Sequence, residues 1–424
     1  MEETRHESRG TALEHLIADL SSTFFMRDFV FLNPTYVSNG KERQLTDLLF
    51  LQDGDCMAVS VKGSDGEDKT RERLPLWARK KSREASKNAK TASQRIAKLE
   101  ITATNMWGET RVFPAGTLRP RSGLGIVECS QELFAPISFD LNPPDCSVCP
   151  IHYISANDFV NVVQWLGGIF DVFRYFDARR QVSYLFNGIN QEQPLLCYYT
   201  LRSHDDFSGF VAADKEELRR LHNMFLFDKM SEYDERNHHA SFVNAVVHQL
   251  HTRHPDVESY VPVELKHLIE PSEKRSAYLG MAAMLNGLPM SNKAWIGREL
   301  EAGIKRAKKT GQSGCFLYRQ LLGTVVFVFA SFTGFNRTEK MRALNEFLPA
   351  AQFSSRLGEA LGIAYDADDD SMGFEVLWRR GPVEATCAVR ELAQRLFSGP
   401  FETQCPTLFG EARPYTPKGR RTGT

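Results

Sequence analysis

The chain reads as an α/β core at its N-terminus followed by an α+β region, and three observations predict this. Apolar residues recur at helical spacing near the start, with Ala12, Leu13, Leu16, Ile17 and Leu20 on one stripe and Glu14 and Asp19 off it. Two short runs rich in Leu, Val and Phe, at 45–51 and 56–62, flank an Asp53-Gly54 step of the kind that closes a two-residue hairpin. A Lys/Arg-rich helical pattern over 75–99 then precedes a further apolar run at 123–130. With 28–37 as the first strand, the expected order is helix, three strands, helix, strand (αβββαβ).

The hairpin carries two unexpected charges. Asp47 falls in the second strand and Lys62 in the third, both beside residues that belong in a core. An unpaired buried charge costs several kcal/mol, so each ion needs a partner, a metal or a solvent-open cleft at its strand end. In an ordinary α/β sheet Asp47 would cap a turn or pair with Lys62, and that reading stays open.

This element order, with Asp in the second strand and Lys in the third, resembles the PD-(D/E)XK restriction-endonuclease-like superfamily over residues 10–135. The family pattern is an Asp, a spacer, then Glu or Gln, any residue and Lys. Asp47 and Lys62 match its ends, whereas Ser60 of "SVK" stands at the Glu/Gln position. The resemblance implies a metal-dependent nuclease in which two carboxylates hold Mg²⁺ (or Mn²⁺) and the Lys orients the attacking water or stabilises developing charge. Asp47 would be the first metal ligand. Ser60 is neutral and a poor Mg²⁺ ligand, so the second carboxylate would be Glu14 on the first helix, with Glu42 ahead of the Asp strand as the alternative and the Val61 carbonyl completing the shell. The same departure leaves open a catalytically inactive, nuclease-like nucleic-acid-binding module. A protein-interaction scaffold is the remaining class.

The segment 69–100 supports a nucleic-acid partner. Lys69, Arg71, Arg73, Arg79, Lys80, Lys81, Arg83, Lys87, Lys90, Arg95 and Lys98 are set against Glu72, Glu84 and Glu100 in a chain whose formal net charge is only −1. Leu76, Ala85, Ala89, Ala92, Ile96 and Leu99 form a thin apolar stripe on which such a helix packs. The remaining face, with Arg79, Lys80, Lys81, Arg83, Lys87 and Lys90, is suited to holding a phosphate backbone without reading sequence, DNA ahead of RNA. A solvated helix face with no ligand is the bland alternative.

A chain of 424 residues, 42% hydrophobic and 25% charged, has the composition of a soluble globular protein with room for two or three domains. Its longest apolar run, 321–332, is too short to span a bilayer, and the charged N-terminus lacks a secretory core. Eight scattered cysteines fit reduced thiols and a cytoplasmic setting. No P-loop, GxGxxG fingerprint or GxSxG elbow occurs, which argues against a nucleotide hydrolase, a dinucleotide oxidoreductase and an α/β-hydrolase.

Pro143, Pro144 and Pro150 mark 141–153 as a linker between a nuclease-like domain at 1–140 and an α+β domain at 154–402 of unassigned role, which would recognise a target or protein partner. Within the linker Cys146, Cys149 and His152, with Cys129 upstream, form half of a zinc pattern, and the missing second pair makes incidental thiols the default. A helical pattern runs over 155–182, a strand is expected at 194–201, and a helix with His248, His251 and His254 ends at Pro255. Neither these histidines nor the tandem His238-His239 has ligand spacing that stands out. Later strands at 313–332 and 372–380 bracket a helix at 338–361, the Asp366, Asp368, Asp369, Asp370 run reads as a solvated loop, and 383–397 is a closing helix. The Pro-, Gly- and Thr-rich tail 403–424 is expected to be disordered. At the level of biology, a bacterial restriction or anti-phage defence factor is the expectation such a composite raises.

Overall fold

The computed structural model describes residues 9–63, 73–128, 136–139, 141–185, 188–201, 230–252, 271–319, 324–368 and 373–397, with isolated positions 207, 216, 220 and 223. Cys129, His254, Asp369, Asp370 and the 403–424 tail lie outside them. The chain divides into two compact units, one running to Tyr233 and the next beginning at Asp234.

The first unit is an α/β layer structure. Helix α1 (Arg9–Phe25) leads through a 3₁₀ turn to β1 (Val30–Ser38), β2 (Lys41–Gln44), β3 (Leu48–Gln52) and β4 (Asp55–Lys62). Helix α2 (Leu74–Ile96), β5 (Ile101–Asn105), β6 (Thr110–Phe113), β7 (Arg119–Val127), β8 (Ile137–Ser138) and β9 (Ile151–Ser155) follow. The main sheet has eight strands in the order β6-β5-β1-β3-β4-β7-β9, with β2 added on β1. β1, β3 and β4 are antiparallel neighbours, whereas β7 runs parallel to β4 and β9 parallel to β7. Asp53 and Gly54 both adopt positive φ, as a two-residue hairpin turn requires, and this fixes the β3/β4 register at Gln52↔Asp55.

α2 is the crossover between the parallel strands β4 and β7, and small residues let it lie close. Its buried face is Ala78, Ser82, Ala85, Ser86, Ala89, Ala92 and Ser93, ending in Ile96. A Cβ added at Gly125 of β7 would meet Ala85 Cβ at 2.9 Å and the Ser86 amide nitrogen at 3.0 Å. Leu76, expected on the packed stripe, is instead 70% exposed, because helical spacing puts it on the far side of the helix from Ala78, Ala85 and Ala92. In α1 the packed face is Leu13, Ile17, Ala18 and Phe25, and Leu16 is 63% exposed.

The Pro-rich stretch is not a domain linker. Residues 141–150 form a loop, but Ile151–Ser155 re-enters the sheet as β9, and Tyr153 Oη donates to the Leu141 carbonyl at 2.7 Å. Helices α3 (Ala156–Leu166) and α4 (Ile169–Arg179) then pack on β7, separated by Gly167 in the left-handed conformation (φ 71°). The short β10 (Gly188–Ile189) pairs antiparallel with β8. The segment expected as a strand at 194–201 is helix α5 (Glu192–Leu201). A short, wholly apolar run has no period to separate strand from buried helix, and here the helical alternative holds.

The second unit contains α6 (Met230–Thr252), α7 (Pro271–Asn286), α8 (Met290–Thr310) and α9 (Arg337–Ser355), with α10 (Cys387–Phe397) closing it. Its sheet is β11 (Gly314–Arg319), β12 (Val325–Phe332), β13 (Glu359–Asp366) and β14 (Phe374–Arg380) in that order, with β12 and β13 parallel and α9 between them in sequence. α9 starts on an Asn336/Glu339 capping box and stops at Ser355, with Arg356 in the left-handed region; 359–361, expected as the end of that helix, begin β13. No helix among the described residues is long and apolar enough to cross a membrane.

Candidate functional site

An antiparallel hairpin sets the start of one strand beside the end of the next. Leu48 pairs with Val59, so Asp47, one residue before β3 rather than inside it, lies level with Ser60 and next to the end of β4 at Lys62. Strand alternation settles the face. Leu49 and Leu51 of β3 and Cys56 and Ala58 of β4 share a core cluster with Ala92 and Ile96 of α2. Continued by the period of two along β4, Ser60 and Lys62 fall on that same α2 side of the sheet, and Asp47, just ahead of β3, lies at the strand end beside them.

β1 prepares the opening in which Asp47 sits. Asn33 has positive φ (47°), and the β1/β5 register shifts between Leu32 and Thr35. At this irregularity the Asn33 amide donates to the Asp47 carbonyl at 2.9 Å and the Leu45 amide to the Pro34 carbonyl at 2.7 Å. Gln44 Nε2 bridges Asn33 Oδ1 (2.9 Å) and Asp47 Oδ1 (3.3 Å). Such irregularities commonly re-aim side chains beside sites.

The Asp47 carboxylate is therefore held from several directions. Its Oδ2 accepts from the Val61 amide at 2.6 Å and from Ser60 Oγ at 3.1 Å, and Lys62 Nζ lies 3.6 Å away. The Asp47 side chain is 12% exposed and that of Lys62 25%, so the ammonium remains open to solvent while the carboxylate is nearly enclosed. Ser60 thus serves as a hydrogen-bond donor to Asp47.

Glu14 joins this group electrostatically. Its carboxyl is pushed above the ordinary Glu range first by burial and then by the Asp47 charge, with Lys62 and His15 opposing. Glu14 and Asp47 thus feel one another's charge, and Lys62 offsets part of the repulsion. Glu42 does not join them in the same way: it lies on the exposed β2, where its Oε1 accepts from Thr35 Oγ1 at 2.7 Å. Among the described residues, Asp47, Glu14 and Glu42 do not bring three ligand atoms within 4.8 Å of one another.

Of the α2 cations, Lys80, Arg83 and Lys87 lie opposite the Ala/Ser stripe, whereas Arg79, Lys81 and Lys90 border it. Lys80, Arg83 and Lys87 are exposed and Arg79, Lys81 and Lys90 half-buried, with Lys81 paired to Glu84 at 3.1 Å. Gly125, the β7 partner of Ser60, packs on Ala85 and Ser86, so this stretch of α2 is level with the hairpin site.

The half zinc pattern resolves differently. Cys146 and Cys149 line an open cleft of about 730 Å³ with Arg121, Asp177 and Arg180. Burial pushes the Cys149 thiol up to about 11, against a Ser93 hydrogen bond that pulls it down. His152 is fully buried and its Nδ1 lies 3.2 Å from Arg179 Nη1. There Arg179 forms a two-pronged pair with Glu192, to which Tyr175 Oη also donates at 2.6 Å. The six cysteines within the described residues are all free thiols. His248, of the expected histidine helix, is exposed on α6. His238, His239 and Glu301 bring three ligand atoms within 4.8 Å of one another, a grouping invisible in the sequence because Glu301 is on a different helix. Compared with protein-family models, curated proteins and solved structures, the chain matches none.

Proposed function

We propose that the first unit is a divalent-metal-dependent phosphodiesterase acting on nucleic acid, duplex DNA in the first instance, built on a PD-(D/E)XK-like core. The observation that carries this reading is the juxtaposition of Asp47, Ser60 and Lys62 at one strand end, with Glu14 near enough to feel the Asp47 charge. It is supported by the order α1, β1, β3, β4, α2, β7, in which three antiparallel strands are followed by a helical crossover to a parallel fourth. On this reading β2, β5, β6 and β9 are additions to the core.

Asp47 and Glu14 are the residues that would hold Mg²⁺ or Mn²⁺, and the ion when bound would polarise the scissile phosphate and lower the pKa of a water. The protein's own groups do the positioning. The Val61 amide and Ser60 hydroxyl fix the Asp47 carboxylate, and Gln44 restrains its other oxygen. The Lys62 ammonium, close to Asp47 yet open to solvent, is suited to hold an approaching phosphate oxygen or to orient the attacking water. Lys80, Arg83 and Lys87 would contribute charge to backbone binding.

Cleavage of duplex DNA, single-stranded DNA and RNA by the full chain, with Mg²⁺, Mn²⁺ or excess EDTA, tests the reading. Asp47→Asn keeps a hydrogen-bond acceptor for the Val61 amide but removes the charge. The loss expected is about a thousandfold or more, roughly 4 kcal/mol of barrier. Cleavage that survives this substitution, or survives EDTA, would place the chemistry elsewhere.

A second reading is favoured by one observation: Ser60, at the family's acidic position, donates to Asp47 and offers no second carboxylate. A module that kept the fold and the basic helix but not cleavage would bind nucleic acid with strong salt dependence and leave it intact under every metal condition.

A further inference from the structure

We propose that His238, His239 and Glu301 form a binding site for a late first-row divalent cation, Zn²⁺ above all, between two helices of the second unit. Gly297 makes the site possible. A Cβ at that position would fall 1.9 Å from the His239 carbonyl oxygen, so only glycine lets α8 approach α6 at His239. Glu301 stands one helical turn further along α8, on the same face as Gly297, and its carboxylate thereby comes over the His239 ring.

The geometry within the cluster points to an ion rather than to a simple pair. His239 is only 8% exposed, and its Nδ1 lies 3.1 Å from Glu301 Oε2 without the alignment of a hydrogen bond. Two ligands each bound at about 2.0–2.2 Å in a tetrahedral shell stand roughly 3.3 Å apart, so this separation already suits a shared metal. His238, with its ring centroid 5.4 Å from that of His239, adds a third donor within the 4.8 Å grouping.

The outer contacts are those that a ligating set needs. Glu235 Oε1 lies 3.6 Å from His239 Nε2, on the ring edge away from Glu301. Lys305 Nζ contacts Glu301 Oε1 at 2.5 Å, leaving Oε2 for the ion. Two imidazoles and one carboxylate select Zn²⁺, Co²⁺ or Ni²⁺ over Mg²⁺, and three protein ligands leave a fourth position open to water or to a ligand atom from a partner.

Calorimetric titration of the metal-stripped full chain with Zn²⁺, and absorption titration with Co²⁺, provide the test. The expectation is one equivalent bound, with a visible Co²⁺ band of tetrahedral intensity. His238 is exposed, so His238→Ala leaves the fold intact; it and Glu301→Gln should each weaken Zn²⁺ binding by about tenfold or more. Asp47→Asn should leave this equivalent in place. A wild-type chain that takes up no Zn²⁺, or one whose Zn²⁺ disappears with Asp47 but not with His238, would overturn the site and reduce the cluster to a His239–Glu301–Lys305 ion network.

Discussion

Two charged clusters of the first unit share one material and differ in what they leave unsatisfied. Around Glu192, Arg179 donates two hydrogen bonds, Tyr175 a third, and the side chains of the ion pair are 3% and 2% exposed. Asp158 accepts from the Glu192 amide at 3.3 Å. The Arg179–Glu192 pair is thus closed on itself and nearly out of reach of water. Around Asp47 the carboxylate is equally well held, but Lys62 opens to water and Glu14 is left with a repelling neighbour. An ion pair closed on itself away from water marks a structural network, whereas a held carboxylate beside a lysine that opens to water at a strand end marks a site.

Substitutions should separate the two clusters by which property they damage. Arg179→Met leaves the Glu192 carboxylate buried without its cation, and chemical denaturation should register a loss of about 3–5 kcal/mol. Asp47→Asn should cost stability far less while abolishing cleavage. Equal stability losses at the two positions would erase the distinction.

A pH titration sharpens it further. Burial, and then the Glu192 charge, push the Asp158 carboxyl up to about 6 from the ordinary Asp range. Between the unfolded value and about 6 the folded chain therefore holds a proton that the unfolded chain has released. The stability this group contributes is complete below the unfolded pKa and disappears as pH rises through about 6. Asp158→Asn should remove that fall, an effect of up to about 3 kcal/mol at pH 7 relative to wild type. Parallel stability curves for the two chains between pH 4 and 7 would contradict the assignment.

The smallest effect concerns the basic helix. Replacing Lys80, Lys81, Arg83 and Lys87 with Gln should weaken DNA binding about equally across unrelated sequences. It should flatten the log–log salt dependence by up to about 0.9 for each phosphate no longer neutralised. Wild-type affinity at low salt in this variant would leave α2 as a solvated face.

What was legible in the sequence follows the range of the physics. The Asp53-Gly54 turn, the alternation flanking it and the off-pattern Asp47 and Lys62 are local, and they identify the hairpin and its charged end. Glu14 could be named only through the resemblance, since what couples it to Asp47 is the packing of α1 on the sheet. The Arg179–Glu192 network was hidden because reading 194–201 as a strand removed the helix that presents Glu192. The boundary expected at 141–153 failed for a related reason: its prolines mark a loop, and a loop between two parallel strands of one sheet carries the same residues as a linker between domains. β13 was missed because α9 ends on a left-handed Arg356, a residue type that does not signal a helix stop, and Gly358 two residues on was read as part of the helix.

The most direct test is a Mn²⁺ titration followed by electron paramagnetic resonance, made on the His238→Ala chain so that the imidazole cluster does not contribute. The account predicts at least one bound Mn²⁺, abolished on adding either Asp47→Asn or Glu14→Gln while the melting curve stays cooperative. A bound ion that persists in both variants, or no bound ion in the parent chain, would contradict a metal centre at the Asp47–Lys62 hairpin.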